Sequence, residues 1–67
     1  MTDDDWVVVL VYSREHKSRP FFLEVEGPYT LTEARNTSKY YNDTAMYEPE
    51  KMRSEFMYAQ ARQMSRN

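Results

Sequence analysis

Trp6-Val7-Val8-Val9-Leu10-Val11-Tyr12 is the stretch of sequence that decides the fold of this chain. Its β-branched and aromatic residues, uninterrupted by glycine or proline, predict a β-strand over about residues 6–12. Because side chains alternate along a strand, the two faces are Trp6, Val8, Leu10 and Tyr12 on one side and Val7, Val9 and Val11 on the other. A strand that is apolar on both faces is typical of a structure that covers it above and below. A chain of 67 residues has little material for two covering layers, which favours association with another chain.

The size and composition predict one small domain over residues 1–67, with an acidic tail at residues 1–5. The chain has no cysteine, so thiolate chemistry and disulfides are excluded. The amino terminus is acidic where a secretory leader is basic, so we expect a cytoplasmic protein. The apolar run is far shorter than the roughly 20 residues that a membrane-spanning helix needs, and we expect no membrane contact.

A second strand is predicted over about residues 21–26, after a wholly polar connection and Pro20. Two faces again alternate, with Phe21, Leu23 and Val25 on one side and Phe22, Glu24 and Glu26 on the other. This is the pattern of a strand with one face in solvent, and the two strands together predict an antiparallel β-hairpin.

A helix is predicted over about residues 31–41. Gly27-Pro28 ends the preceding strand in this interpretation, and Thr30 with Glu33 matches the capping box, in which each residue's side chain accepts a hydrogen bond from the other's backbone N–H. The apolar face of the helix, formed by Leu31, Ala34, Ser38 and Tyr41, is narrow, so we expect the helix to lie close to the sheet. Asn42-Asp43 is expected to end it.

The last third of the chain allows two interpretations. Pro49 between two glutamates, followed by good helix formers, favours a C-terminal helix over about residues 49–64. The alternative is a third strand near residues 55–61 that pairs with the first and completes a ββαβ sheet. Either way the fold class is α+β, a β-hairpin packed by one or two helices, and a third strand would explain the two-sided first strand without a partner.

The chemistry of the side chains argues against an enzyme. The single histidine, His16, lies in the polar connection, where a solvated side chain is the usual role. Three consecutive terminal aspartates do not converge on a metal ion, and one glycine cannot form a phosphate-binding loop. We therefore expect no catalytic residue, no metal site and no cofactor.

Protein–protein association fits the composition better, since ten aromatic residues and five methionines are of the types that interfaces favour. The expected function is that of a non-catalytic interaction module with a protein partner or a second copy. The candidate contact residues are Trp6, Val8, Leu10, Tyr12, Phe56, Met57 and Tyr58, with the opposite strand face of Val7 and Val9 as the other choice. The alternative is a nucleic-acid-binding accessory protein that uses the basic connection through Arg14, Lys17 and Arg19, although a sequence pI near 5.3 is low for such a module.

Residues 6–41 also resemble a group of small orphan proteins encoded by bacteriophages. The shared features are a strand led by tryptophan, a second strand ending in Gly27-Pro28-Tyr29, and a helix opened by Thr32-Glu33-Ala34. The resemblance implies a protein that binds and modulates a host protein, or a small accessory factor. It implies no particular functional residue.

Overall fold

A computed structural model describes residues 4–13 and 21–64 of the chain. In that part the order of elements is β1 (Trp6–Ser13), β2 (Phe21–Tyr29), α1 (Leu31–Tyr47), a short 3-10 turn (Pro49–Lys51) and β3 (Phe56–Gln63). The three strands form one antiparallel sheet in the order β2-β1-β3. The α+β fold class and the β-hairpin packed by a helix are confirmed.

The predicted C-terminal helix is wrong, and the alternative third strand is correct. Only Pro49–Lys51 is helical, as a single 3-10 turn, and β3 runs antiparallel to β1 with Leu10 opposite Ala59. A bulge between Val11 and Tyr12 shifts the register, so that Tyr12 lies opposite Phe56 and Val11 opposite Tyr58. Helix propensity in this segment is a weak preference, and the open edge of β1 offers a whole ladder of backbone hydrogen bonds that outweighs it.

Strand β2 continues past the point where the sequence predicts its end. Val8 lies opposite Glu26 and Trp6 opposite Tyr29, so Gly27-Pro28 is accommodated as a bulge rather than as a stop. Gly27 has φ 139°, a conformation that other residues rarely adopt, and an added Cβ would lie 3.1 Å from the Trp6 carbonyl oxygen. The Gly27–Pro28 peptide bond is cis.

Helix α1 begins as predicted and ends later than predicted. Glu33 N–H donates to Thr30 Oγ1 over 3.1 Å, and the Thr30 N–H donates to Glu33 Oε1 over 3.0 Å, which confirms the capping box. The helix then continues through Asn42 and Asp43 to Tyr47. Asn42 does not end it, because its side chain bonds to the sheet instead of to its own backbone.

The core lies between α1 and one face of the sheet. It consists of Val8, Leu10, Tyr12, Ala34 and Ala59, all less than 6% exposed. Ala34 and Ala59 are small, which lets the helix approach β3 and β1 closely, as its narrow apolar face predicts. We call this face of the sheet the helix side.

Asn42 joins the middle of α1 to the outer edge of β3. Its Nδ2 donates to the Ala59 carbonyl oxygen over 2.9 Å, and its Oδ1 accepts from the Ala59 N–H over 2.8 Å. These are the two backbone groups that an edge strand would otherwise present to solvent or to another chain. One side chain therefore fixes the helix on the sheet and closes β3 at its midpoint.

Replacing this amide tests its role. Asn42→Ala leaves both Ala59 groups without their partner, and we expect the free energy of unfolding to fall by about 1–3 kcal/mol. Urea denaturation followed by circular dichroism measures the change. Asn36→Ala is the matched control, because Asn36 is exposed on the same helix. Equal midpoints for the two variants would contradict a structural role for the Asn42 amide.

Candidate protein-binding surface

The second face of the sheet carries apolar side chains that no described helix or strand covers. We call it the open face. Strand β1 contributes Val7, Val9 and Val11, and β2 contributes Leu23 and Val25 in register with them. Strand β3 contributes Tyr58, Gln60 and Arg62. The membership follows from the pairing, because side chains directly opposite each other in neighbouring strands lie on the same face.

The open face is apolar along β2 and β1 and polar along part of β3. Leu23 is 59% exposed, Val25 62% and Tyr58 44%. Val11 is buried between its neighbours Leu23 and Tyr58 and forms the floor of a shallow groove. Gln60 and Arg62 line the β3 side of this groove. The surface thus combines an apolar floor with one cationic rim residue among the described positions.

The predicted contact residues separate into two groups in the structure. Val8, Leu10 and Tyr12 belong to the core under α1, and Trp6 and Phe56 are half-buried against it. All five lie on the helix side. Val8, Leu10 and Tyr12 are buried there and offer no free surface, so their assignment to a partner site is corrected, whereas the assignment of half-buried Trp6 and Phe56 stays a prediction. Of the remaining two, Met57 is 46% exposed at the β3 bulge and Tyr58 lies on the open face. Val7 and Val9, the other choice, are on the open face.

Leu23 and Val25 are exposed, although the alternating pattern of β2 suggests that they are buried. Their alternation with Glu24 and Glu26 suggests that the apolar face of β2 is buried and the acidic face is in solvent. In the structure the acidic face lies on the helix side, where Leu10 is opposite Glu24 and Val8 is opposite Glu26. Only the register with β1 reveals this, and the sequence contains no signal for that register.

Tyrosine hydroxyls stabilise the two glutamates on the helix side. Tyr12 Oη donates to Glu24 Oε1 over 2.8 Å, and Tyr41 Oη donates to Glu26 Oε2 over 2.7 Å. Tyr29 Oη also donates to Glu26, over 3.4 Å. Hydrogen bonds to a charged acceptor are stronger than neutral ones, so carboxylates are tolerated beside the core. The consequence is that β2 turns its apolar side chains outward.

Three aromatic rings and the Arg53 guanidinium pack together on the helix side, near the end of β1 and the start of β2. Tyr12 stacks on Phe22 with ring centroids 4.6 Å apart, and Phe56 meets the Tyr12 ring edge-on at 5.8 Å. The Arg53 guanidinium lies 5.1 Å from the Tyr12 ring centre and 3.9 Å from Glu24 Oε2. Arg53 is about half exposed, so this ion pair adds little to stability.

The tyrosines of this cluster are poor acid–base groups at neutral pH. Burial, together with the hydrogen bond to Glu24 and the charge of that carboxylate, raises the pKa of Tyr12 from 10.0 to about 12. The hydrogen bond to Glu26, followed by burial, also raises the pKa of Tyr41. Both phenols therefore remain neutral donors, and their role is to hold carboxylates in place.

The described residues contain neither a metal-binding cluster nor a membrane-spanning helix. In residues 4–13 and 21–64 no group of three His, Asp or Glu side chains could hold a metal ion, and no helix is long and apolar enough to cross a membrane. His16, Arg14, Lys17 and Arg19 lie outside the described residues. Nucleic-acid binding through the basic connection stays a prediction from the sequence.

Comparison with known proteins identifies no relative: no family model, no curated protein and no solved structure matches the chain. The resemblance of residues 6–41 to small phage proteins therefore stays a prediction.

The raised tyrosine pKa values predict a loss of stability in alkali. The unfolded chain releases the Tyr12 proton near pH 10, whereas the folded protein holds it to about pH 12. The contribution of this group is complete below pH 10 and is lost as the pH rises through 12. We expect the unfolding midpoint in urea to fall over that interval, and to fall less steeply for Tyr12→Phe. Identical slopes for the two proteins would show that Tyr12 does not titrate in this way.

Proposed function

We propose that this chain is a non-catalytic protein-binding module whose contact surface is the open face. The observation that carries the proposal is the exposure of Leu23 and Val25 on β2 and of Tyr58 on β3, on one continuous sheet surface. Contiguous apolar patches on a sheet are typical of interaction sites, whereas scattered apolar residues are not. A module of this kind would act as the phage proteins it resembles are expected to act, by binding and redirecting another protein.

The energetics of the open face support binding over simple solvent exposure. Leu23 and Val25 are about three-fifths exposed, and covering each would contribute about 1–2 kcal/mol. Tyr58 adds a large amphipathic side chain of the kind that dominates interface energetics. The only described charge on the face is Arg62, at its β3 side, so an apolar partner surface can approach the centre without desolvating an ion.

Charged residues on the helical turns are paired with one another. Lys39 pairs with Asp43 at 2.8 Å and Lys51 with Glu48 at 2.6 Å, both in exposed helical turns. These are local pairs on the surface and lie apart from the open face. The tyrosine–glutamate cluster is held by hydrogen bonds with neutral phenols, which suits a structural role.

Two tyrosine substitutions test the proposal. Tyr58→Lys places a charge on the open face, and we expect it to abolish retention of the proteins that the wild-type chain captures from a lysate of its own cells. The control is Tyr47→Lys, on the exposed end of α1, where the side chain is 74% exposed. Quantitative mass spectrometry of the bound fractions measures the difference, and circular dichroism checks that both variants fold.

The result that contradicts the proposal is equal capture by Tyr58→Lys and wild type, or equal loss in both variants. Sedimentation of the purified wild-type chain over a concentration series separates a foreign partner from a second copy. A mass that doubles with concentration, and remains monomeric for Tyr58→Lys, would identify the partner as the chain itself.

A further inference from the structure

The two outer edges of the sheet differ in whether a side chain bonds to their outward-facing backbone groups. Strand β3 is closed at its centre by Asn42, which bonds both backbone groups of Ala59. Within the described residues no side chain bonds to the outer backbone of β2 at Leu23 or Val25. An edge strand with unpaired N–H and C=O groups is a template for a further strand.

The hydrogen-bond pattern identifies which groups of β2 point outward. Because Asn42 occupies the Ala59 N–H and C=O, these groups point away from β1, and the opposite residue Leu10 must direct its own toward β2. A bond beyond the end of β3 agrees with this pattern. The Met64 N–H donates to the Asp5 carbonyl, and hydrogen-bonded pairs recur at every second residue, so Val7–Arg62 and Val9–Gln60 are hydrogen-bonded pairs and Leu10–Ala59 is not. Leu10 therefore exchanges hydrogen bonds with Glu24.

The neighbours of Glu24 consequently face the free edge. Leu23 and Val25 direct their backbone N–H and C=O away from β1, and the same two residues direct their side chains to the open face. Glu24 and Glu26 direct their carboxylates to the helix side of the same edge. The bulge at Gly27-Pro28 ends the straight part of β2, so the edge available for pairing is about residues 22–26.

We propose that this edge of β2 accepts an antiparallel strand from a partner whose side chains alternate between apolar and basic. Residues opposite Leu23 and Val25 lie on the open face and extend its apolar surface. Residues opposite Glu24 and Glu26 lie on the helix side, where a lysine or arginine meets a carboxylate. The inference rests on the proposed function, because it names the kind of segment that the binding module takes.

Both glutamates can accept a further hydrogen bond. The side chain of Glu24 is 53% exposed, with Tyr12 on one oxygen and Arg53 at 3.9 Å from the other. Glu26 is half-buried and accepts from Tyr41 and Tyr29. An ionised carboxylate has about four acceptor positions, so a cation from the partner adds to these bonds rather than replacing them.

A second copy of the chain is the less suitable occupant of this edge. Antiparallel pairing of two β2 strands about their middle would bring the Glu24 and Glu26 carboxylates of both copies side by side. Like charges directly opposite each other destabilise a strand pair. The acidic side of the edge therefore favours a basic partner over self-pairing.

A short peptide provides the test, with the full chain as the receptor. The probe is acetyl-Thr-Val-Lys-Val-Lys-Val-Thr-amide, in which the central valine pairs with Val25 and the two lysines pair with Glu24 and Glu26. Titration followed by ¹⁵N NMR should shift the amide signals of residues 22–26. Hydrogen exchange of the Leu23 and Val25 amides should slow by at least about tenfold at saturation, because those amides gain partners.

Matched peptides distinguish backbone pairing and charge recognition from nonspecific hydrophobic binding. N-methylation of the last two valines removes the N–H groups that face β2 and should abolish binding, whereas N-methylation of the lysines, whose N–H groups face away, should not. Replacement of both lysines by glutamate should weaken binding by roughly tenfold. Equal binding by all four peptides, or shifts confined to β3, would overturn the proposal.

Two further outcomes bear on the occupant and on the open face. Slow exchange of the Leu23 and Val25 amides in the peptide-free protein, with a dimeric mass, would show that a second copy takes the edge and would overturn the proposal. Tyr47→Lys should bind the peptide as wild type does, since Tyr47 is on the exposed end of α1 and outside the proposed site. Loss of lysate capture by Tyr58→Lys with no peptide binding by wild type would leave the open face as the site and refute the edge.

Discussion

Backbone hydrogen bonding on both edges of β1 is the constraint on which the rest of this structure depends. The strand carries apolar side chains on both faces, and its position between β2 and β3 pairs its backbone on each side. If β1 lay at either edge of the sheet, the backbone of the most hydrophobic strand would be open to pairing with other chains. Once β1 is central, the pairing determines which side chains of the outer strands share each face.

One helix can cover only one face of such a sheet. Helix α1 covers the side of Val8 and Leu10, where Ala34 and Ala59 allow close approach, and Asn42 anchors it to the edge of β3. On the same side the tyrosine hydroxyls hold the carboxylates of β2. The cost of this arrangement is an apolar surface on the opposite side, and we interpret that surface as the site of function.

Much of the fold follows from local signals in the sequence. The run of residues 6–12 predicts the central strand, and Thr30 with Glu33 predicts the helix start, because both depend on neighbours within a few positions. The nature of residues 56–63 depends on the free edge of β1, which is distant in sequence. Local propensity there favours helix, and tertiary pairing reverses it.

The site is harder to predict, because it depends on which face the helix takes. The sequence indicates that one face of β1 lacks cover. Whether that face holds Val8 and Leu10 or Val7 and Val9 depends on the position of α1. Leu23 and Val25 are assigned to the surface only by their register with Val11 and Val9. The roles of Asn42 and Glu24 also depend on contacts between distant segments, Ala59 and Tyr12, which no local pattern indicates.

Solvent access to individual methyl groups tests the central claim most directly. In a dilute sample with a soluble paramagnetic gadolinium chelate, methyl NMR reports which side of the sheet meets water. We predict strong relaxation of the Leu23 and Val25 methyl signals, with the methyls of Val8 and Leu10 protected by α1. Equal protection of all four residues at every dilution would contradict an uncovered face and remove the basis for the proposed binding surface.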